Sequence, residues 1–110
     1  MSYIPNQGDI IVMDFDPQSG FEQKGRRPAL VISNNTYNKT CKMAIVCPIS
    51  NTDKSHPYHI RLERGTQTSG VILCDQVRSL DIYTRNAVFK ESVADAIIDE
   101  AIDLICSFVE

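Results

Sequence analysis

GDIIVMDFDPQSGFEQKGRRPALVIS, residues Gly8 to Ser33, holds two apolar runs rich in β-branched residues, separated by a polar stretch bounded by Gly20 and Gly25. The spacing predicts a strand over Asp9–Phe15, an exposed loop, and a second strand over Pro28–Ser33. MAIVCPI (Met43–Ile49) is another short apolar run, read as a strand buried on both faces. NNTYNKT (Asn34–Thr40), which joins these two runs, has turn chemistry throughout.

Further along, NTDKSHP (Asn51–Pro57) reads as a polar loop leading into YHIRLE. There Tyr58, Ile60 and Leu62 alternate with His59, Arg61 and Glu63, the pattern of a half-exposed strand. ERGTQTSG is a turn, VILCDQV a further strand, and NAVFK a shorter one. Five or six short strands separated by turns indicate a mainly β fold: a compact antiparallel sheet or small barrel. The tail differs. Ala94, Ile97, Ile98, Ala101, Ile105 and Phe108 recur at helical spacing, and Ser92 with Asp95 reads as a capping box. An amphipathic C-terminal helix is expected to pack on the sheet. Its acidic positions Asp95, Asp99 and Asp103 read as a solvated face, or as a surface for a basic partner.

The 110 residues fit a single domain, 1–110, long enough for a real core. Hydrophobic residues make up 43% and charged residues 23%, far from the signature of disorder. The N-terminal stretch has neither the basic start nor the long apolar run of a signal peptide or membrane span, so a cytoplasmic, membrane-free protein is expected. Cys41, Cys47, Cys74 and Cys106 form no CxxC and no ligand spacing with a histidine. They are expected to be reduced and mostly buried, with neither a metal nor a cofactor implied.

The net charge of −3 argues at first against a polyanionic partner. Its distribution reverses the argument. Glu91 to Glu110 contains six acids and no Lys or Arg, so residues 1–90 carry all 11 basic residues against eight acids. A basic body with an acidic tail can bind a polyanion on one face.

Within that body Pro28 biases Arg27 to an extended conformation at the mouth of a strand, presenting a permanently charged, forked guanidinium suited to phosphate. Asp14 and Asp16 lie two apart on one strand face, without a third acid at helpful spacing. His56 and His59 have the right intrinsic pKa for proton transfer, but nothing in the sequence brings a nucleophile to them. Ser50 is a hydroxyl entering a loop. Arg78 and Ser79 follow a buried strand and could face a groove together with Arg27. Phe21, Tyr37 and Tyr58 could stack on unpaired bases.

The ordered series GDIIVMDFDPQSGFEQKGRRPALVIS, a strand ending PIS, DQVRSLD and a terminal helix resembles the MazF/PemK family of toxin endoribonucleases along nearly the whole chain. The resemblance implies a small SH3-like antiparallel barrel with a C-terminal helix, a homodimer, a cognate antitoxin, and metal-independent, sequence-specific cleavage of single-stranded RNA. The family's G-x-R-P motif falls on Gly25 to Pro28, which makes Arg27 the catalytic arginine. Its hydroxyl residue, usually threonine, falls on Ser50, and Glu22 lies in the loop that closes over the groove. Phe21, Lys24, Arg26, Gln76, Arg78 and Ser79 are the expected RNA contacts. Met13 stands where the family usually has Trp. CcdB-type gyrase poisons resemble the same fold, and a binding protein that does not cleave RNA is a further alternative.

Overall fold

The computed structural model describes residues 3–15, 25–52, 55–62 and 65–110. The apolar runs form β1 (Asp9–Asp14), β2 (Arg26–Val31), β3 (Ala44–Ser50), β4 (His59–Leu62), β5 (Gly70–Leu73), β6 (Arg78–Leu80) and β7 (Val88–Ser92). All recorded pairings are antiparallel. The order across the sheet is β4-β5-β3-β2-β1-β7, and β6 pairs with β3 beside the β5 contact. β3 is therefore central, with β2 along one edge and β5 and β6 sharing the other.

Side-chain alternation sends the strands' apolar residues into two cores. One comprises Ile10, Leu30, Cys47, Ile49, Ile60, Leu62, Ile72 and Cys74, capped by Ile98 and Ala101 of α2 (Asp95–Val109). The other gathers Ile11, Met13, Phe15, Ala29, Val31, Ala44, Val46, Leu80 and Ile82. Met13 is fully buried there, so its unbranched side chain fills a core position. The expected mainly β fold with a terminal amphipathic helix is present.

Three local expectations are corrected. NNTYNKT is not a turn: α1 spans Asn35–Cys41. The Asn34 side chain caps it by accepting the Tyr37 N–H at 2.8 Å, and Lys42 ends it in the left-handed region. Asn38, unfavourable in an isolated helix, is buried and satisfied by the Pro5 and Ser33 carbonyls at 2.9 and 3.2 Å. The capping box is also absent. Ser92 ends β7 opposite Asp9 and donates to the Asp9 carboxylate at 3.1 Å, while Ala94 occupies the helix N-cap without a side-chain bond. Finally, Cys47 and Cys74 are buried but Cys41 and Cys106 are exposed. The Cys74 contact and burial push the Cys47 thiol up, away from the reactive thiolate.

Glu91 holds the turn before β5 by accepting the backbone N–H groups of Gln67 and Thr68 at 2.9 and 2.7 Å and the Thr68 hydroxyl at 2.6 Å. Desolvation raises its pKa, but the Thr68 and Gln67 hydrogen bonds outweigh it, and the net shift is downward from 4.5. The stability Glu91 contributes is thus present above its ordinary pKa and lost as pH falls through the lowered value. Glu91→Gln is expected to cost about 1–2 kcal/mol at pH 7. In urea titrations the gap from wild type should close as the pH is taken below 4.5; a gap independent of pH would refute the charged interaction.

Candidate active site

The site is built where the β2–β3 ladder ends. Recorded pairing stops at Ala29↔Pro48, although both strands run on, to Arg26 and Ser50. Pro28, without an N–H, contributes no donor there. Continuing the register sets Arg27 opposite Ser50, so the two residues belong to one face of the sheet. On its other side β2 holds Arg27 against Met13 of β1. Ser50 is held in turn against Val71 of β5, and Val71 against Arg61 of β4. A row of positions, Arg27, Ser50, Val71 and Arg61, crosses four strands.

Ser50 is 8% exposed, and its Oγ accepts the Thr52 N–H at 3.1 Å. That bond uses a lone pair and leaves the hydroxyl proton available to donate. Gly70 makes this corner possible: its φ is +115°, and a Cβ there would lie 2.2 Å from the Ser50 carbonyl oxygen.

Alternation separates residues that the sequence sets side by side. Arg27 shares the Ser50 face, whereas Arg26 lies opposite Asp14 and its guanidinium meets that carboxylate at 3.2 Å. The Asn86 amide, then Arg26, holds the Asp14 carboxyl below its ordinary value. Arg78 and Ser79 part likewise. Arg78 lies opposite Val46, on the face that β3 carries through Pro48 to Ser50; Ser79 lies opposite Ile45 and bonds the Tyr37 hydroxyl at 3.0 Å. The expected joint presentation of Arg78 and Ser79 with Arg27 is therefore corrected to Arg78 alone. Gln76 sits in the 3-10 turn Cys74–Gln76 that joins β5 to β6. Phe21, Glu22, Lys24 and Asp16 lie outside the described residues. Tyr58 packs edge-on against Phe108 of α2, 5.0 Å between ring centres.

His56, His59 and Asp75 form a cluster of metal-ligating type. The imidazoles stack at 4.3 Å, His59 Nε2 is 3.0 Å from Asp75 Oδ1, and His56 Nε2 is 4.0 Å from Asp75 Oδ2. Their second ring nitrogens do not suit a metal, because a ligating imidazole donates its other N–H to an acceptor. His56 Nδ1 instead accepts the Tyr58 N–H at 3.2 Å, and His59 Nδ1 is buried without a partner among the described residues. The cluster fits two imidazoles sharing one carboxylate. His59 Nε2 is thereby held on the Asp75 carboxylate. Asp75 and Arg61 were not singled out by the sequence reading; for Arg61 the signal was its polar position in the YHIRLE alternation.

Residues 6–109 match the family described as the PemK-like, MazF-like toxin of type II toxin-antitoxin systems. The endoribonuclease toxin MazF of Escherichia coli (strain K12) is 41% identical over 84% of this chain and 82% of its own length. Among solved structures, MazF from Deinococcus radiodurans superposes with a TM-score of 0.92 at 34% identity, covering 98% of each chain. A MazE–MazF complex from the same organism gives 0.86 at 34% identity, over 98% of this chain and 97% of the other. A small antiparallel sheet with a terminal helix, matched over nearly its whole length to these proteins, makes the chain a toxin of this class. The chain belongs to the PemK/MazF family of type II toxin-antitoxin toxins.

Proposed function

We propose that the chain, an endoribonuclease toxin of its family, cleaves single-stranded RNA at specific sequences without a metal, in the cytoplasm and as a homodimer. The observation that carries this reading is the lie of Arg27 and Ser50 each two positions beyond the last β2–β3 pair, Ala29↔Pro48, in a chain whose curated relatives are endoribonucleases. In the proposed step the RNA's 2′-OH attacks the adjacent phosphorus. A P–O2′ bond forms and the P–O5′ bond breaks, leaving a 2′,3′-cyclic phosphate and a 5′-OH. The protein must align these groups and stabilise the charge gathering on the phosphate oxygens.

Arg27 supplies the positive charge and can hand a proton to the departing O5′; a guanidinium, already fully protonated, is unsuited to take one. Ser50, its lone pair engaged by the Thr52 N–H, donates to a non-bridging oxygen. Glu22 is our assignment for the base that takes the 2′-OH proton. Arg26, Lys24, Phe21, Gln76, Arg78 and Ser79 remain the proposed RNA contacts, with Arg78 closest in placement to the Ser50 face. A MazE-type antitoxin is the proposed protein partner, supported by the MazE–MazF complexes among similar structures.

The deciding experiment is incubation of the purified protein with a long single-stranded RNA in excess EDTA, with mapping of the 5′ ends. Discrete cuts bearing 5′-OH ends are expected. Absence of cuts across RNAs of varied sequence, with inhibition of gyrase by the same preparation, would replace this reading by the gyrase-poison one. Ser50→Ala should retain the fold and lose roughly 10–100-fold in single-turnover cleavage, as for one hydrogen bond donated to a developing charge. Unchanged cleavage would remove Ser50 from the mechanism.

A further inference from the structure

We infer that Arg61 is a second phosphate-binding post of the RNA groove, holding a phosphate that flanks the scissile one. This rests on the RNA-cleaving reading above. Two recorded pairings tie Arg61 to the site: it lies opposite Val71, and Val71 lies opposite Ser50. Directly opposed residues of antiparallel strands share a face, so Arg61 rises from the same face as the Ser50 hydroxyl. The two residues are two interstrand steps apart, about 10 Å between their backbones, and Arg27 is one step further. That separation exceeds a single phosphate and suits a strand of RNA laid across the β-strands.

A depression of about 310 Å³ is bordered by Arg61, Leu62, Gly70 and Val71. Arg61 is exposed, on the strand that ends the sheet opposite β7. Its reach and forked guanidinium suit phosphate oxygens. Arg27, Arg61 and Arg78 thus share one face of the sheet.

The test is binding of a fluorescein-labelled single-stranded RNA, spanning a mapped cleavage site, to the full chain across a salt series. Cleavage is followed in parallel. Arg61→Ala should raise Kd several-fold and make the slope of log K against log salt shallower by about 0.7, the value for one phosphate contact on a single strand. The single-turnover rate at saturating RNA should be unchanged. Arg61→Lys should keep the slope. Lys90→Ala, on the opposite edge strand, should alter neither quantity. Shortening the RNA on one side of the cut, but not the other, should abolish the difference between Arg61→Ala and wild type. An unchanged Kd and slope in Arg61→Ala, with wild type binding and cutting normally, would overturn the inference alone. Wild type that binds without cutting would overturn the nuclease reading while the slope still decides Arg61. Wild type that neither binds nor cuts would overturn both.

Discussion

Arg27→Ala is expected to reduce cleavage of single-stranded RNA by about 10³-fold or more, the cost of deleting an arginine that compensates transition-state charge on phosphorus. The loss should fall on the single-turnover rate and much less on RNA affinity, because in the role proposed for Arg27 the charge it meets is larger in the transition state than in the bound substrate. The position makes the experiment clean. Arg27 is half-buried at the end of β2, opposite Met13, and alanine can adopt the same extended backbone. The urea midpoint should therefore move little. Arg27→Lys is an informative companion: it keeps the charge and loses the fork, and should recover only a small part of the rate. Full activity in a folded Arg27→Ala protein would sink the assignment.

The second large effect is on the fold. Gly70→Ala should destabilise the protein by about 3–5 kcal/mol, a large part of the stability of a domain this size. Two costs combine. At φ +115° an L-residue is strained by about 1–3 kcal/mol. The added methyl would also sit 2.2 Å from the Ser50 carbonyl oxygen and 2.9 Å from its carbonyl carbon, both backbone atoms that cannot rotate away. Relief requires β5 to withdraw from β3, which moves Ser50. Gly65→Ala is the control: φ is +77° there, but no atom of the described residues beyond its chain neighbours lies within 4 Å of the new Cβ, so only the backbone term of about 1–2 kcal/mol remains. Similar unfolding midpoints for the two variants would show that the close approach at Ser50 is not what demands glycine.

These two expectations depend on different kinds of information. Arg27 was legible because its mark is local: a guanidinium beside a proline, closing a loop and opening an apolar run. The strands were legible for the same reason, since a run such as Ile10–Val12 or Ala44–Val46 leaves water only by entering a sheet. The terminal helix follows from a stripe at helical spacing, and its Ile98 and Ala101 are indeed the buried positions. Local chemistry misled where a distant partner decided the outcome. Asn38 belongs to a helix because Pro5 and Ser33 satisfy its buried amide, and Ser92 serves Asp9 across a strand pair instead of capping α2.

The sequence by itself therefore determined most of the strands and the terminal helix, the basic body with its acidic tail, and the residues with chemistry suited to phosphate. The tertiary structure alone decided which of those residues share a face. Arg26 from Arg27, and Ser79 from Arg78, are parted by the two-residue period of a strand combined with a register set by its neighbours. Arg61 joins Ser50 across 11 positions of chain by the same rule, because a cross-strand pair depends on which strands are adjacent, and adjacency is settled by burial of both faces of the sheet together.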